Sequence, residues 1–426
     1  MPTNIARGAA QTGAIVGAAL FAQAQKTTGT FRNLVGPKPE MSEIEGKLGK
    51  QQSSPAMPIV EVMDLTKAAS DTVRVDCVDV VNIEPIMGSR NAEGKGAPLS
   101  FSSFDTSIDQ YTFPVSAGNT MSQQRTPHNL RRLARAQAVG LMSKYFELSS
   151  LVHMAGARGQ AVGNDWGVIP LDTSATFAEV MVNPVKAPTR NRHYVVSGNN
   201  IINGGEQLAA IASTDVLKLS HIDQLRNVID NLDLSLQSVK LPDDPAANDE
   251  PMWVMYAPAN VYSSLLQEGS LRAFQQMAIN RAAFGSKHPL FRGECGMWNG
   301  ILVKKLPRAI RFMPGTTAQY VSAANAATAT ETAATVNGAL TAGYGVERCI
   351  LLGAQALTQA YGNNNSSGTP YNWAEKMHNF ERDPEFAVFG VGGQAKVRFN
   401  VPDATGAKIP TDHGVIVLDV AAKQSV

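Results

Sequence analysis

From Thr126 to His153 apolar residues recur at helical spacing: Leu130, Leu133, Ala134, Ala138, Leu141, Tyr145, Leu148 and Val152 fall along one stripe. Gln137 lies inside the stripe and Phe146 off it. Thr126 is read as the N-cap and Pro127 as the first helical residue, where a missing N–H costs little. A single long helix with one apolar stripe must lie against something broad. Arg131, Arg132 and Arg135 sit in its first turns, where positive charge opposes the helix dipole. That placement calls for acidic groups nearby, and the reading places them on another copy of the chain.

Around this helix the chain alternates between strand and helix without a regular βαβ repeat, so the expected class is α+β. Thr72 to Val81 alternates through Val73, Val75 and Cys77, and Ser107 to Val115 through Ile108, Tyr111 and Phe113. The glycine-rich segment 88–96 lies between them, so the two runs are read as a long hairpin with that segment at its tip. Residues 187–197 read as a turn entering a strand. A second amphipathic helix starts at Ser220, with Asp223 completing a capping box. Strands are expected at 253–256, 299–306, 346–352, 386–389, 395–399 and 415–420. Helices are expected over 259–283 and 353–360. Residues 318–343, rich in Ala and Thr, are read as a surface excursion. Residues 1–60, broken by Pro37, Pro39, Pro55 and Pro58, form an arm that is ordered by contact with neighbours.

The balance of residues narrows the function. Charged residues are 17% of the 426 and the net charge is +1. A dedicated nucleic-acid binder carries a clear basic excess, and this chain does not. The charges are blocked, however. Residues 61–126 hold nine acids against five bases, and residues 127–160 hold five bases against Glu147 alone. Such blocks suit surfaces that meet between copies. The three cysteines, Cys77, Cys295 and Cys349, are far apart and form no CxxC pair, which points away from a zinc knuckle or disulfide scaffold and towards a reducing compartment. Gly13 to Ala22 is too short and too rich in Gly and Ala to cross a bilayer, so no membrane role is expected.

Catalytic patterns are weak. Gly390-Val391-Gly392-Gly393 lacks dinucleotide-loop spacing and precedes strand residues, and there is no HExxH or GxSxG. His288 and Cys295 are seven residues apart and are the one pair that could serve as base and thiol nucleophile. No feature of the surrounding sequence lowers the thiol pKa strongly, so Cys295 is read as a packing residue. The chain is expected not to be an enzyme and to need no cofactor or metal. Lys95, at the glycine-rich tip, is read as solvated.

Six blocks then resemble, in order, the major capsid proteins of N-four-like tailed phages: 112–137 (TFPVSAGNTMSQQRTPHNLRRLARAQ), 187–198 (APTRNRHYVVSG), 217–225, 288–308 (HPLFRGECGMWNGILVKKLPR), 346–362 (VERCILLGAQALTQAYG), and 389–400 (FGVGGQAKVRFN) with 413–422 (HGVIVLDVAA). That family is similar to the Hong Kong 97 phage capsid fold. The resemblance implies an N-terminal arm at 1–60, an E-loop with flanking strands at 61–125, a spine helix at 126–158, peripheral-domain segments at 159–204 and 376–426, and an axial domain at 205–375. It implies hexamers and pentamers that close into an icosahedral head, assembled in the host bacterial cytoplasm. It also implies portal and scaffolding or decoration proteins as partners, and weak non-specific contact with packaged double-stranded DNA. Candidate inter-subunit contacts are Arg90, Glu93, Lys95, Arg131, Arg132 and Arg135. An encapsulin-like compartment and a cysteine-dependent hydrolase stand as the alternatives.

Overall fold

The computed structural model describes residues 31, 34–36, 53–63, 70–78, 84–88, 90–96, 99, 101–232, 234–240, 251–267, 295–323, 327–363, 370–402 and 407–424. Two sheets with the long helix between them organise the chain. The larger sheet runs, in spatial order, Asn200–Asn203, His193–Ser197, Val415–Lys423, Tyr344–Leu352, Trp253–Pro258, Ile301–Leu306 and Cys295–Trp298. Its central strands are buried on both faces. Along Trp253–Pro258, Val254 and Tyr256 enter one core with the long helix. Trp253, Met255 and Ala257 enter another with the helices Leu219–Asn231 and Ala259–Gln267. Such strands read as continuous apolar runs rather than as alternation.

The smaller sheet is built on the strand Asp383–Lys396. It pairs with Tyr371–His378, with Asp109–Ser116 and with Leu357–Tyr361, and Ile59–Val62 adds parallel to the last of these. The long helix lies across it, with Ala138 against Phe386 and Val388. A separate hairpin, Thr72–Val78 with Phe101–Ser107, leaves this sheet. Its base is held where Phe104 packs on Ala395, Val397 and Phe399.

Several sequence expectations change. The hairpin returns through 101–107 rather than 107–115, because Asp109–Ser116 pairs with Asp383–Lys396 instead. The long helix spans Leu130–Ala155, with Asn129 and not Thr126 as its N-cap; the Asn129 side chain accepts the Arg132 N–H. Gln123 ties the preceding turn by donating to the His128 carbonyl and accepting the Leu130 N–H. The second helix starts at Leu219. There Nδ1 of buried His221 accepts the Lys218 N–H and its Nε2 lies 3.2 Å from the Gly198 carbonyl. Asp223 instead accepts from Trp298 Nε1 and Asn299 Nδ2, anchoring the turn at Asn299–Gly300. Both turn residues have positive φ (46° and 77°), as a type I′ two-residue hairpin requires, so Asn299 and Gly300 form a turn ahead of the expected strand, and Cys295–Trp298 before it is a further strand.

Segment 353–360 is not a helix. Gln355 takes a positive φ of 54° and Leu357–Tyr361 is a fully buried strand. The Ala/Thr tract is not a loose excursion either. Thr317–Val321 pairs with Glu331–Thr335, and Ala318, Ala334, Val336 and Leu340 are buried in the main core. Small side chains there allow close packing against the turn Gly205–Ala209. Finally, the arm is anchored by its own chain. Phe31, Leu34, Met57 and Ile59 are buried in the core beside Tyr145, Leu148 and Tyr256. Residues 1–30 lie outside the described residues.

Candidate functional site

The six residues singled out from sequence fall into two groups. Arg90, Glu93 and Lys95 are exposed on the segment that links the strands of the hairpin. The segment turns at Gly88 and Gly94, with φ of 70° and 75°, and open space surrounds both glycines. Met87, Leu99 and Phe101 nearby are 71%, 62% and 61% exposed. Cross-strand pairing of Arg74 with Asp105, through two hydrogen bonds of 2.8 and 2.9 Å, stiffens the hairpin below them. The Arg74 guanidinium holds the Asp105 carboxyl below its usual range.

The three arginines behave differently from one another. Nε of Arg131 lies 2.9 Å from Glu375 on the strand Tyr371–His378 of the same chain, and its Nη2 contacts Met377. The Arg135 guanidinium sits over the rings of Trp373 and Phe386, at 4.9 and 5.2 Å. These rings stack on each other with centroids 5.6 Å apart. The conflict with the helix dipole is therefore answered within the chain for Arg131, by Glu375, and for Arg135 by aromatic faces. Arg132 alone of the three has a guanidinium without a partner among the described residues. Among the described residues, no hydrogen bond or ion pair joins these arginines to the 84–99 segment. His288 lies outside the described residues, and Cys295 is described by its backbone alone, opposite Lys304.

Sequence reasoning missed two buried ion centres, the first of which ties the larger sheet to the end of the long helix. In the first, Arg348 donates to both oxygens of Asp419 at 2.8 and 2.7 Å and to the Ala155 carbonyl at 2.9 Å. Nε2 of His193 lies 2.7 Å from Asp419. Burial lowers the His193 pKa, so the imidazole is neutral and donates its Nε2–H to the carboxylate. The Arg348 charge holds Asp419 ionised, well below the usual carboxylate range, against the effect of burial. In the second, Asp412 accepts from Lys396 Nζ at 2.8 Å, from Arg398 Nε at 2.7 Å and from the Thr189 N–H at 3.1 Å. Arg398 also donates to the Ala187 carbonyl. Burial pulls Lys396 down to about 8. A buried charge needs such a partner set, because an unpaired one is strongly destabilising. The signal was present in the sequence: Asp419 is the one charge within the apolar run VIVLDVAA, and Glu347 and Arg348 interrupt the apolar run VERCILL.

These centres fall largely inside the blocks that carried the resemblance: 187–198 holds His193, 346–362 holds Arg348, 389–400 holds Lys396 and Arg398, and 413–422 holds Asp419. The family model for phage capsid protein matches residues 4–424. The chain belongs to the phage capsid protein family. Its fold is the α+β capsid fold of Hong Kong 97 type. Three solved structures illustrate the likeness. The capsid of Ralstonia phage GP4 is 22% identical with a TM-score of 0.71, and each chain is covered over 100% of its length. The cyanophage Pam1 capsid is 12% identical with a TM-score of 0.64, covering 99% of this chain and 100% of the other. The capsid of Helicobacter pylori bacteriophage KHP30 is 10% identical with a TM-score of 0.57, covering 97% and 96%. No curated protein matches the sequence. Membership makes this a major capsid protein, a structural component of the phage head shell rather than an enzyme, and it displaces the cysteine-hydrolase and compartment alternatives.

Proposed function

We propose that copies of this chain form hexamers and pentamers that close into an icosahedral head around double-stranded DNA. The observation that carries this reading is the hairpin Thr72–Val78/Phe101–Ser107. Its base is packed in the chain's own core at Phe104, while Met87, Leu99 and Phe101 stay exposed beyond it. Exposed apolar groups on a projecting element fit contact with an adjacent copy, the role expected of the E-loop. In this assignment Leu130–Ala155 is the spine helix, the smaller sheet the peripheral domain and the larger sheet the axial domain. This assignment follows sheet membership rather than the boundaries read from sequence. Strands 193–203 and 415–423 go with the axial domain, and 357–361 and 371–378 with the peripheral one. Each contact can be modest, because one subunit meets several neighbours at once.

Arg90, Glu93 and Lys95 then act at the E-loop contact, and Arg132 is the helix arginine left for a neighbour. Portal, scaffolding or decoration proteins are further partners, assembly takes place in the host bacterial cytoplasm, and DNA is held weakly, in a salt-dependent way. Negative-stain electron microscopy tests the reading. The expressed protein should give closed particles, and a variant with residues 84–99 replaced by a short Gly-Ser turn should stay folded and give none. Particles of normal yield from that variant would overturn the E-loop role.

A further inference from the structure

The strands Tyr371–His378 and Asp383–Lys396 are joined through Asn379, Phe380 and Glu381, which all have positive φ (51°, 57° and 65°). Left-handed backbone is unfavourable for side-chain-bearing residues, and for a bulky one above all. The same chain holds the turn rigidly. The Arg382 N–H donates to the carbonyls of His378 and Asn379, and Thr120 donates its N–H and its hydroxyl to the Arg382 carbonyl. At the tip, Phe380 is 98% exposed. A strained, braced turn that presents a phenylalanine to solvent does nothing for the chain's own core.

Beside the base of this hairpin is a groove of about 250 Å³. Ala117, Pro384 and Phe386 form its apolar part, and Asn129, Arg131, Arg132, Arg135 and Glu375 form the rest, so the groove carries a net positive charge. We infer that Phe380 of one copy seats in the Arg132 groove of a second copy, with Glu381 of the first pairing with Arg132 of the second. This rests on the assembly reading, which supplies the occupant: a shell subunit covers its exposed surfaces with further copies of itself. The ring meets the apolar part of the lining and the guanidinium faces of its arginines, and the Glu381 carboxylate matches the groove's net positive charge. Plug and groove are different patches of one chain, so the contact is head-to-tail. Repeated about an axis it closes into a ring.

The test uses the full-length protein and three sets of variants. Phe380→Ser should leave the subunit's melting temperature unchanged and raise the protein concentration needed for particle formation at least tenfold. Glu381→Arg should do likewise, and Glu381→Arg combined with Arg132→Glu should restore assembly. Glu381→Cys and Arg132→Cys proteins, mixed and oxidised, should give a disulfide-linked dimer beyond what either forms alone, which only a contact between copies can produce. Normal assembly by Phe380→Ser, or no added cross-link in particles from the mixed sample, overturns the inference while leaving the capsid reading intact. Wild-type protein that forms no particles at all overturns both.

Discussion

At the scale of single residues, the buried charges make the sharpest predictions. Asp419→Asn leaves Arg348 buried without its counter-ion and should cost about 3 to 5 kcal/mol in chemical denaturation of the subunit. Arg348→Met in the same background should recover most of that loss, since the orphaned charge is then gone. His153 is completely buried near the end of the long helix, and burial lowers its pKa from 6.5 to about 4. A histidine kept neutral in the fold binds its proton more readily when unfolded. The subunit should therefore lose stability as pH falls from about 6.5 to 4, by roughly 3 kcal/mol from this group. Asp412 and Asp419, both held below the usual carboxylate value of 3.8, extend the loss to lower pH as they take up protons. Unfolding measured at pH 7 and pH 4.5 checks this: His153→Gln should narrow the difference between the two. None of these partners could be found by spacing, because Arg348 and Asp419 are 71 residues apart and His193 and Asp419 are 226 apart.

Elements whose partners are local were legible, and those whose partners are distant were not. The long helix was evident from its stripe, since Ala134, Ala138, Tyr145, Leu148 and Val152 are all buried. Its start was misplaced by a few residues because Thr126 and Pro127 imitate a helix opening, while the side chain that caps it belongs to Asn129. Asn129→Ala should cost about 1 kcal/mol. Gly156→Ala should cost more, for Gly156 closes the helix at a φ of 67° and an added Cβ would lie 2.6 Å from the Lys186 carbonyl oxygen. Comparing the two variants by urea denaturation checks the order. Segment 353–360 was misread because its alanines suit a helix equally well. What makes Leu357–Tyr361 a strand is pairing with Ile59–Val62, which no local pattern announces.

For the whole molecule, the blocks announced the family and the fold class, and periodicity found most strands of the larger sheet. The grouping of strands into sheets was hidden, since it depends on which distant segments pair. The arm was the largest surprise. Read as an appendage, it contributes Leu34, Met57 and Ile59 to the core, each with no exposed surface. Ile59→Ala should cost about 2 to 5 kcal/mol. Deleting residues 1–62 should abolish soluble folded subunits. Circular dichroism melts and soluble yield check these outcomes.

The parallel pairing of His193–Ser197 with Val415–Lys423 carries a consequence for synthesis in the cell. The strand Val415–Lys423 fills the middle of the larger sheet, with Tyr344–Leu352 on its other side. It also brings Asp419 to a histidine made 226 residues earlier. A nascent chain therefore cannot complete that sheet, or neutralise Arg348, until the ribosome has passed residue 423. Chains that stall or terminate early lack the middle of that sheet and the counter-ion of Arg348. The order of strands thus ties completion of the larger sheet to translation through residue 423.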